Sequence, residues 1–279
     1  MLRLAVVGFG LIGGSVALAA RSRGLASHVT ALDRPDVLAM PAAREAADDL
    51  VDSSDTRSWH AALRGADLVM VATPVGAIEA MIGELLELAK VATDCGSTKR
   101  AIAASASRSP RRGRFVPGHP MAGLPQGGVQ HARQDLFEGR RWLLCPEHSD
   151  ADAMSLVEAF VRGIGAVPLR LSAEEHDRAV ALTSHVPQVL ASALAVMAES
   201  RGAGIAAGPA FQSATRVAGG GESMWRDILA TNADEVSATL DSLRDELDVV
   251  ARALRRQPPD VGPALRLLER ARGLKGREG

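Results

Sequence analysis

The sequence predicts an α/β protein in two parts: an N-terminal doubly wound parallel sheet over residues 1–172 and a C-terminal all-helical domain over 173–279. Three observations carry that expectation. Short apolar runs alternate with helix-like stretches as far as about Leu171, the pattern of strands joined by crossover helices. Beyond that point the strand signals stop and apolar residues recur at spacings of three and four. The length, 279 residues, suits about two domains.

Residues 2–7 form the first expected strand, followed by a Gly-rich turn and an Ala-rich helix to about Arg23. Residues 28–32 are the next strand. Residues 66–72 are another, with a helix near 76–90 after it, and 91–94, 114–117 and 142–145 continue the pattern. In the second part, 174–201, 209–218, 223–256 and 263–272 read as helices. Val236, Leu240, Leu243, Leu247, Val250 and Leu254 give the third of these one apolar face, and Gln257-Pro258-Pro259 ends it. Residues 273–279 are charged and Gly-rich and are expected to fray.

Residues 179–198 carry no charge and are long enough to span a bilayer. Thr183, Ser184, His185, Pro187, Gln188 and Ser192 interrupt them, so a buried helix of a soluble protein is expected, with no membrane partner. The apolar surface of this helix and of 234–256 predicts a homodimer formed through the helical domain.

Composition removes several classes of function. Lys and Arg number 32 against 33 Asp and Glu, a formal charge of −1, which leaves no footprint for nucleic acid. The arginines at 108, 111, 112 and 114 read as a solvated loop. Cys95 and Cys145 make neither a disulfide framework nor a zinc site, so no metal is expected and a reducing cytoplasm fits. The opening apolar run is too short for a signal peptide. The chain contains no Tyr. That excludes any mechanism using a tyrosyl hydroxyl as acid or base.

Gly8-Phe9-Gly10-Leu11-Ile12-Gly13 fits G-x-G-x-x-G, directly after a strand and opening a helix, which is the Rossmann-type context for a dinucleotide. Gly8 permits the tight turn, Gly10 lets the backbone approach a pyrophosphate, and Gly13 allows close helix–strand packing. The helix start, with Leu11 and Ile12, offers free N–H groups to phosphate. Asp33 closes the second strand, where a carboxylate receives ribose hydroxyls and repels a 2′-phosphate. NAD is therefore expected over NADP. Arg34 keeps NADP open, since an Arg there can accommodate that phosphate. Thr73-Pro74, at the carboxyl end of the strand 66–72, suits a wall of the nicotinamide pocket.

Further polar segments are Asp94-Cys-Gly-Ser97-Thr-Lys99, Gly118-His119-Pro120-Met121-Ala122-Gly123, Ser184-His185-Val-Pro187, Ser213-Ala-Thr-Arg216 and Met224-Trp225. Together with the Gly-rich turn they resemble the prephenate dehydrogenase family, which includes arogenate dehydrogenases, from Leu4 to about Arg256. Asp135-Leu-Phe137-x-Gly139-Arg also matches the family's run. The resemblance implies oxidative decarboxylation of prephenate to 4-hydroxyphenylpyruvate, or of arogenate to tyrosine, with reduction of a nicotinamide cofactor.

Residue by residue, His119 resembles the family's catalytic histidine and Ser97 the serine that hydrogen-bonds the same substrate hydroxyl. Arg216 resembles the arginine that holds a substrate carboxylate, and His185 the histidine facing the substrate from the helical domain. Trp225 walls the same pocket or sits in a core. Lys99 either touches cofactor or pairs with a nearby acid. His176, in Glu174-Glu-His-Asp-Arg178, reads as solvated or capping at a charged helix start. His28, His60, His131 and His148 have no supporting neighbours.

One departure stands out. Many relatives follow Gly123 with Thr or Ser and then Glu, whereas this chain runs Leu124-Pro125-Gln126-Gly127-Gly128. The substrate's side chain is therefore open between prephenate, placed first, and arogenate or a related cyclohexadienyl compound. A nicotinamide-binding sensor without chemistry is the rival from another class. Once the two parts are assigned, no length is left for a fused mutase or regulatory domain, so any control by tyrosine is expected at the active site.

Overall fold

The computed structural model describes residues 1–219 and 221–275. From residue 276 on, the tail expected to fray lies outside them. Among the described residues the strands are β1 (Leu2–Val7), β2 (Ala26–Asp33), β3 (Asp49–Asp52), β4 (Leu68–Val71), β5 (Ala92–Asp94), β6 (Phe115–Val116), β7 (Gly118–Pro120), β8 (Arg141–Leu144) and β9 (Val167–Arg170). The first six form one parallel sheet in the order β3-β2-β1-β4-β5-β6.

Helices α1 (Leu11–Ser22), α2 (Pro35–Leu38), α3 (Pro41–Ala46), α4 (Thr56–Gly65), α5 (Val75–Leu88) and α6 (Arg100–Ser107) connect its strands. Helix α7 (Ala151–Gly163) leads into β9. The central strands are buried on both faces, which is why β4 and residues 4–7 of β1 read as unbroken apolar runs. Leu4, Val6, Val16 and Phe160 belong to the core on one face; Ala5, Val7, Ile78, Ile82 and Leu86 belong to that on the other.

The sheet order reverses between β1 and β4, and ligands bind beyond the carboxyl ends of strands at such a point. There the Gly-rich turn meets the loop after β4. Gly8 has φ +87°, and a Cβ on it would lie 2.6 Å from the Ala72 carbonyl oxygen. A Cβ on Gly13 would lie 2.0 Å from the Gly8 carbonyl oxygen. Gly10 faces open space.

Residues 142–145, expected to extend the parallel sheet, instead lie in or beside a second sheet, β7-β8-β9. Its β7–β8 pair is antiparallel, with His119 opposite Leu143, and β8–β9 is parallel. Strand β3 was not legible: Asp49-Leu-Val-Asp52 is a short edge strand, exposed or half-buried throughout, with no apolar run.

The helical part contains α8 (Ala173–Val180), α9 (Val186–Ser200), α10 (Pro209–Thr215), α11 (Glu222–Thr231), α12 (Ala233–Leu254) and α13 (Gly262–Lys275). Three expectations are corrected here. The helix over 174–201 is interrupted by a π turn, Ala181–His185. The helix over 223–256 is broken at Asn232, which leaves helical conformation at φ −130°, ψ 28°.

The uncharged stretch 179–198 is not buried within one chain. Leu182, Leu190, Leu194, Val196 and Met197 are exposed. By length and composition alone, Ala173–Ser200 is long and apolar enough to cross a membrane. However, its first turns carry Glu174, Glu175, Asp177 and Arg178.

Two compact units divide the chain at Asn232/Ala233, later than the point at 172 where the strands stop. The first holds both sheets and the helices through α11. The second holds α12 and α13, where Asp260 accepts from Arg256 at 3.4 Å and Arg270 reaches Glu246 at 3.5 Å. The apolar face expected on α12 is only partly covered: Val236 is buried, and Leu247 and Leu254 are exposed.

The glycine geometry separates packing from ligand approach. Gly13→Ala is expected to lower unfolding stability by about 3 kcal/mol or more, because backbone lies where the methyl would go. Gly10→Ala is expected to leave the melting temperature of the unliganded protein unchanged within about 2 °C. Thermal unfolding of the two variants checks this; equal losses would contradict it.

Candidate active site

At the nucleotide end, α1 begins at Gly10 with no side-chain cap, so its first N–H groups remain available to an anion. The Asp33 carboxylate lies beside the turn and accepts from the Phe9 N–H at 2.5 Å and the Arg34 N–H at 2.7 Å. The Arg34 side chain is exposed and pairs with Asp36 at 3.1 Å. Leu11 is buried and Ile12 half-buried. Thr73 follows β4 beside Gly8, and its hydroxyl is buried without a hydrogen-bond partner. Pro74 caps the start of α5. An uncapped helix start, an open Gly10 and an orphaned hydroxyl fit a dinucleotide phosphate and its nicotinamide end.

The chemical end is built around Gly118 and His119. Asp94, the last residue of β5, forms a fully buried ion pair with Lys99. Asp94 also accepts from the Gly118 N–H at 2.9 Å, and the Lys99 ammonium donates to the Gly118 carbonyl at 2.7 Å. The pair therefore grips both backbone groups of the residue before His119. Only glycine fits there. A Cβ would lie 2.8 Å from the Asp94 carbonyl oxygen and from Trp142 Nε1. Of the two readings of Lys99, pairing with an acid is the one observed. Ser97 lies half-buried on the same short loop.

His119 does not stand alone. Its Nδ1 lies 2.9 Å from His176 Nε2, and His176 Nδ1 lies 2.7 Å from Asp177 Oδ1. His176 and Asp177 are fully buried. The expectation that His176 is solvated is thereby overturned. Ser172 and Glu175 form a capping box that fixes where α8 begins. Ala173, His176, Asp177 and Val180 then share the inward face, at spacings of three and four. That spacing was the available signal; the charged neighbours Glu174, Glu175 and Arg178 masked it.

Asp177 also accepts from the Lys99 N–H at 2.7 Å and the Arg100 N–H at 3.0 Å, so it caps α6 from another helix. Burial alone would raise its pKa. Hydrogen bonds from His176, Arg100 and Lys99 outweigh that and hold the carboxyl below its ordinary value.

His185 enters the same cluster through the π turn. It lies nine residues after His176. At about 100° per residue an unbroken α-helix would put the two on opposite faces. The residue added by a π turn sets the later part back by about 100° and turns His185 toward the side of His176.

Asn232, at the break between α11 and α12, holds His185 in place. Its Oδ1 accepts from the Arg100 guanidinium at 2.9 Å, which identifies Nδ2 as the donor. Nδ2 donates to the Asp177 carbonyl at 2.8 Å and lies 3.2 Å from His185 Nδ1. His185 Nδ1 therefore accepts, and its Nε2 carries the hydrogen. Trp225 meets the His185 ring edge-on, centroids 5.9 Å apart, and its Nε1 is buried without a partner. Arg216 is placed differently, exposed at the end of α10. Among the described residues it has no bond to the histidine cluster.

Two family models match the chain: "Prephenate dehydrogenase, nucleotide-binding domain" over residues 16–169 and "Prephenate dehydrogenase, dimerization domain" over 172–268. The chain belongs to the prephenate dehydrogenase family. It is 33% identical to the prephenate dehydrogenase of Bacillus subtilis, over 88% of this chain and 68% of that one. It is 30% identical to the cyclohexadienyl dehydrogenase of Zymomonas mobilis, over 92% of this chain and 90% of that one. A structure of prephenate dehydrogenase from Aquifex aeolicus, in complex with hydroxyphenyl propionate and NAD+, matches with a TM-score of 0.86 at 23% identity. It covers 100% of this chain and 99% of that one, a likeness of fold.

In this family member all three clustered histidines are held neutral. Burial is the main cause for His119, and His176, Lys99 and His185 add to it, so it titrates well below the ordinary histidine value. Burial lowers His176 as well, although its bond to Asp177 works the other way. Burial brings His185 to about 4.

The folded protein thus excludes protons that the unfolded chain binds. Stability is expected to be level above pH 6.5, the unfolded histidine value, and to fall as pH drops from there toward 4. His185 alone accounts for roughly 3 kcal/mol over that window. Melting temperatures measured from pH 8 to pH 4 check this; a level profile would contradict it.

Proposed function

We propose that the chain is an NAD-dependent prephenate dehydrogenase of tyrosine biosynthesis, converting prephenate to 4-hydroxyphenylpyruvate and carbon dioxide. The observation that carries this reading is His119, an imidazole kept neutral beside the carboxyl end of β5 in a chain of this family. A neutral imidazole can take a hydroxyl proton near pH 7.

NAD, when bound, supplies the acceptor for the hydride leaving the alcohol carbon. The N–H groups around Gly8, Gly10, Leu11, Ile12 and Gly13 would hold its pyrophosphate, Asp33 its ribose, and Thr73 and Pro74 its nicotinamide end. The Asp33 carboxylate, which would repel a 2′-phosphate, supports NAD over NADP.

His119 takes the hydroxyl proton, with Ser97 orienting the same oxygen. The bond from ring to carboxylate then breaks, carbon dioxide leaves, and its electron pair completes the aromatic ring. The ring oxygen recovers the proton from His119, so no net proton remains on the protein. Arg216 is the candidate for a substrate carboxylate, which a planar guanidinium binds bidentately. His185 offers an N–H donor from the other side of the cluster, with Trp225 against it.

The exposed apolar side chains of α9 and the match to a dimerization domain support a homodimer through the helical part. The charged residues at the start of α8, with Asp177 paired to Arg100 of α6, support a soluble, cytoplasmic enzyme over a membrane-spanning one. The likeness to the Zymomonas enzyme favours one second reading, a cyclohexadienyl dehydrogenase that also takes arogenate.

Reduced-nicotinamide absorbance with prephenate or arogenate, each with NAD and NADP, tests this. Prephenate with NAD is expected to give the highest kcat/KM. No turnover with either substrate would reject the proposal. His119→Asn is expected to lower kcat by about 10²- to 10⁴-fold while leaving NAD affinity unchanged; near-normal rates would remove His119 as the base.

A further inference from the structure

We propose that His176 is a positioning residue for His119: anchored by Asp177, it fixes the tautomer in which His119 Nδ1 carries the hydrogen and Nε2 is the bare, basic nitrogen. The inference rests on the dehydrogenase reading for its purpose and on bonding geometry for its content.

Asp177 sits at the centre of the derivation. The backbone N–H groups of Lys99 and Arg100, at 2.7 and 3.0 Å, can only donate. Arg100 Nε, at 3.3 Å, can only donate as well. These donors and the start of α6 favour the ionised carboxylate, which is an acceptor and nothing else. His176 Nδ1, 2.7 Å from Oδ1, must then carry a hydrogen.

His176 is fully buried, and burial favours its neutral form. A neutral imidazole holds one hydrogen, so His176 Nε2 is bare and accepts. His119 Nδ1, 2.9 Å away, must therefore be the donor. That leaves Nε2 of neutral His119 without a hydrogen, ready for the hydroxyl proton. When Nε2 takes that proton, the Nδ1–H bond to His176 strengthens and spreads the new charge toward the fixed Asp177 anion. The assignment is opposite in His185, whose Nδ1 accepts from Asn232. One histidine is thus prepared to accept a proton and the other to donate a hydrogen bond.

The effect of losing such control is large. A base held in the wrong tautomer loses about 10⁴ in kcat where that has been isolated.

The experiment uses the full-length protein with 15N-labelled histidine, and three chains: wild type, His176→Leu and His176→Gln. Wild-type side-chain spectra at neutral pH are expected to show His119 protonated at Nδ1 and bare at Nε2. Leu removes the acceptor, and His119 is expected to populate the Nε2–H form. In His176→Leu, kcat is expected to fall about 10²-fold or more, with substrate KM within a few-fold of wild type. Gln restores an acceptor oxygen, and the tautomer and most of the rate are expected to return.

If His176→Leu does not fold, the wild-type spectrum and the Gln variant decide. An Nε2–H tautomer in the wild type would overturn the proposal. So would unchanged kcat and an unchanged tautomer in His176→Leu. A wild type inactive on both substrates would reject the dehydrogenase reading instead, and the spectrum would still decide the tautomer.

Discussion

The buried Asp94–Lys99 ion pair is the interaction on which the site depends. It lies at the end of β5, next to β6 at the edge of the parallel sheet. Burying two charges is costly, and a hydrophobic pair of similar volume often serves stability as well. What the charges provide is direction. One takes the Gly118 N–H and the other donates to the Gly118 carbonyl, so the two peptide planes that flank Gly118, the second leading into His119, are each held. No apolar pair could fix both groups. The dense polar motifs around 94–99 and 118–123 are thus two halves of one clamp.

The clamp closes into a ring. Lys99 is also the residue whose backbone N–H meets Asp177, and Asp177 holds His176, which holds His119. His119 is therefore fixed through its backbone by β5 and through its ring by α8. The same carboxylate caps α6, which keeps it ionised in a place where burial alone would neutralise it. A hinge between the sheet and the helices would break this ring first. The first compact unit accordingly runs past the last strand and through α11, to Asn232.

The fold class was legible because a parallel sheet buried on both faces writes itself as apolar runs, and the Gly-rich turn marks where its first strand ends. His119 and Ser97 stood out through their motifs. His176 did not, because its immediate neighbours are charged and exposed, and only the three–four spacing from Ala173 to Val180 marks the inner face. The π turn and the break at Asn232 were illegible for a different reason. Residues 181–185 and 232 continue a helical pattern locally, and their departures are decided by what the side chains reach: a shared carboxylate, an arginine and a second histidine. Arg216 is the reverse case, conspicuous in sequence and exposed in a single chain.

The two ends of the site follow opposite rules, and the chemistry requires it. The Gly-rich turn is left unsatisfied: an uncapped helix start, open space at Gly10, an orphaned Thr73 hydroxyl. Those free donors favour a ligand that brings its own charges. The histidine cluster is satisfied almost completely, by donors and acceptors that leave each ring one choice of tautomer. A base must present one lone pair, and a neutral histidine ring by itself can place it on either of two nitrogens. Excluding water lowers the basicity of these rings but cannot choose between their nitrogens. Only a neighbour with a fixed hydrogen-bonding role can do so, and for His119 that neighbour is made to accept by a carboxylate that can do nothing else.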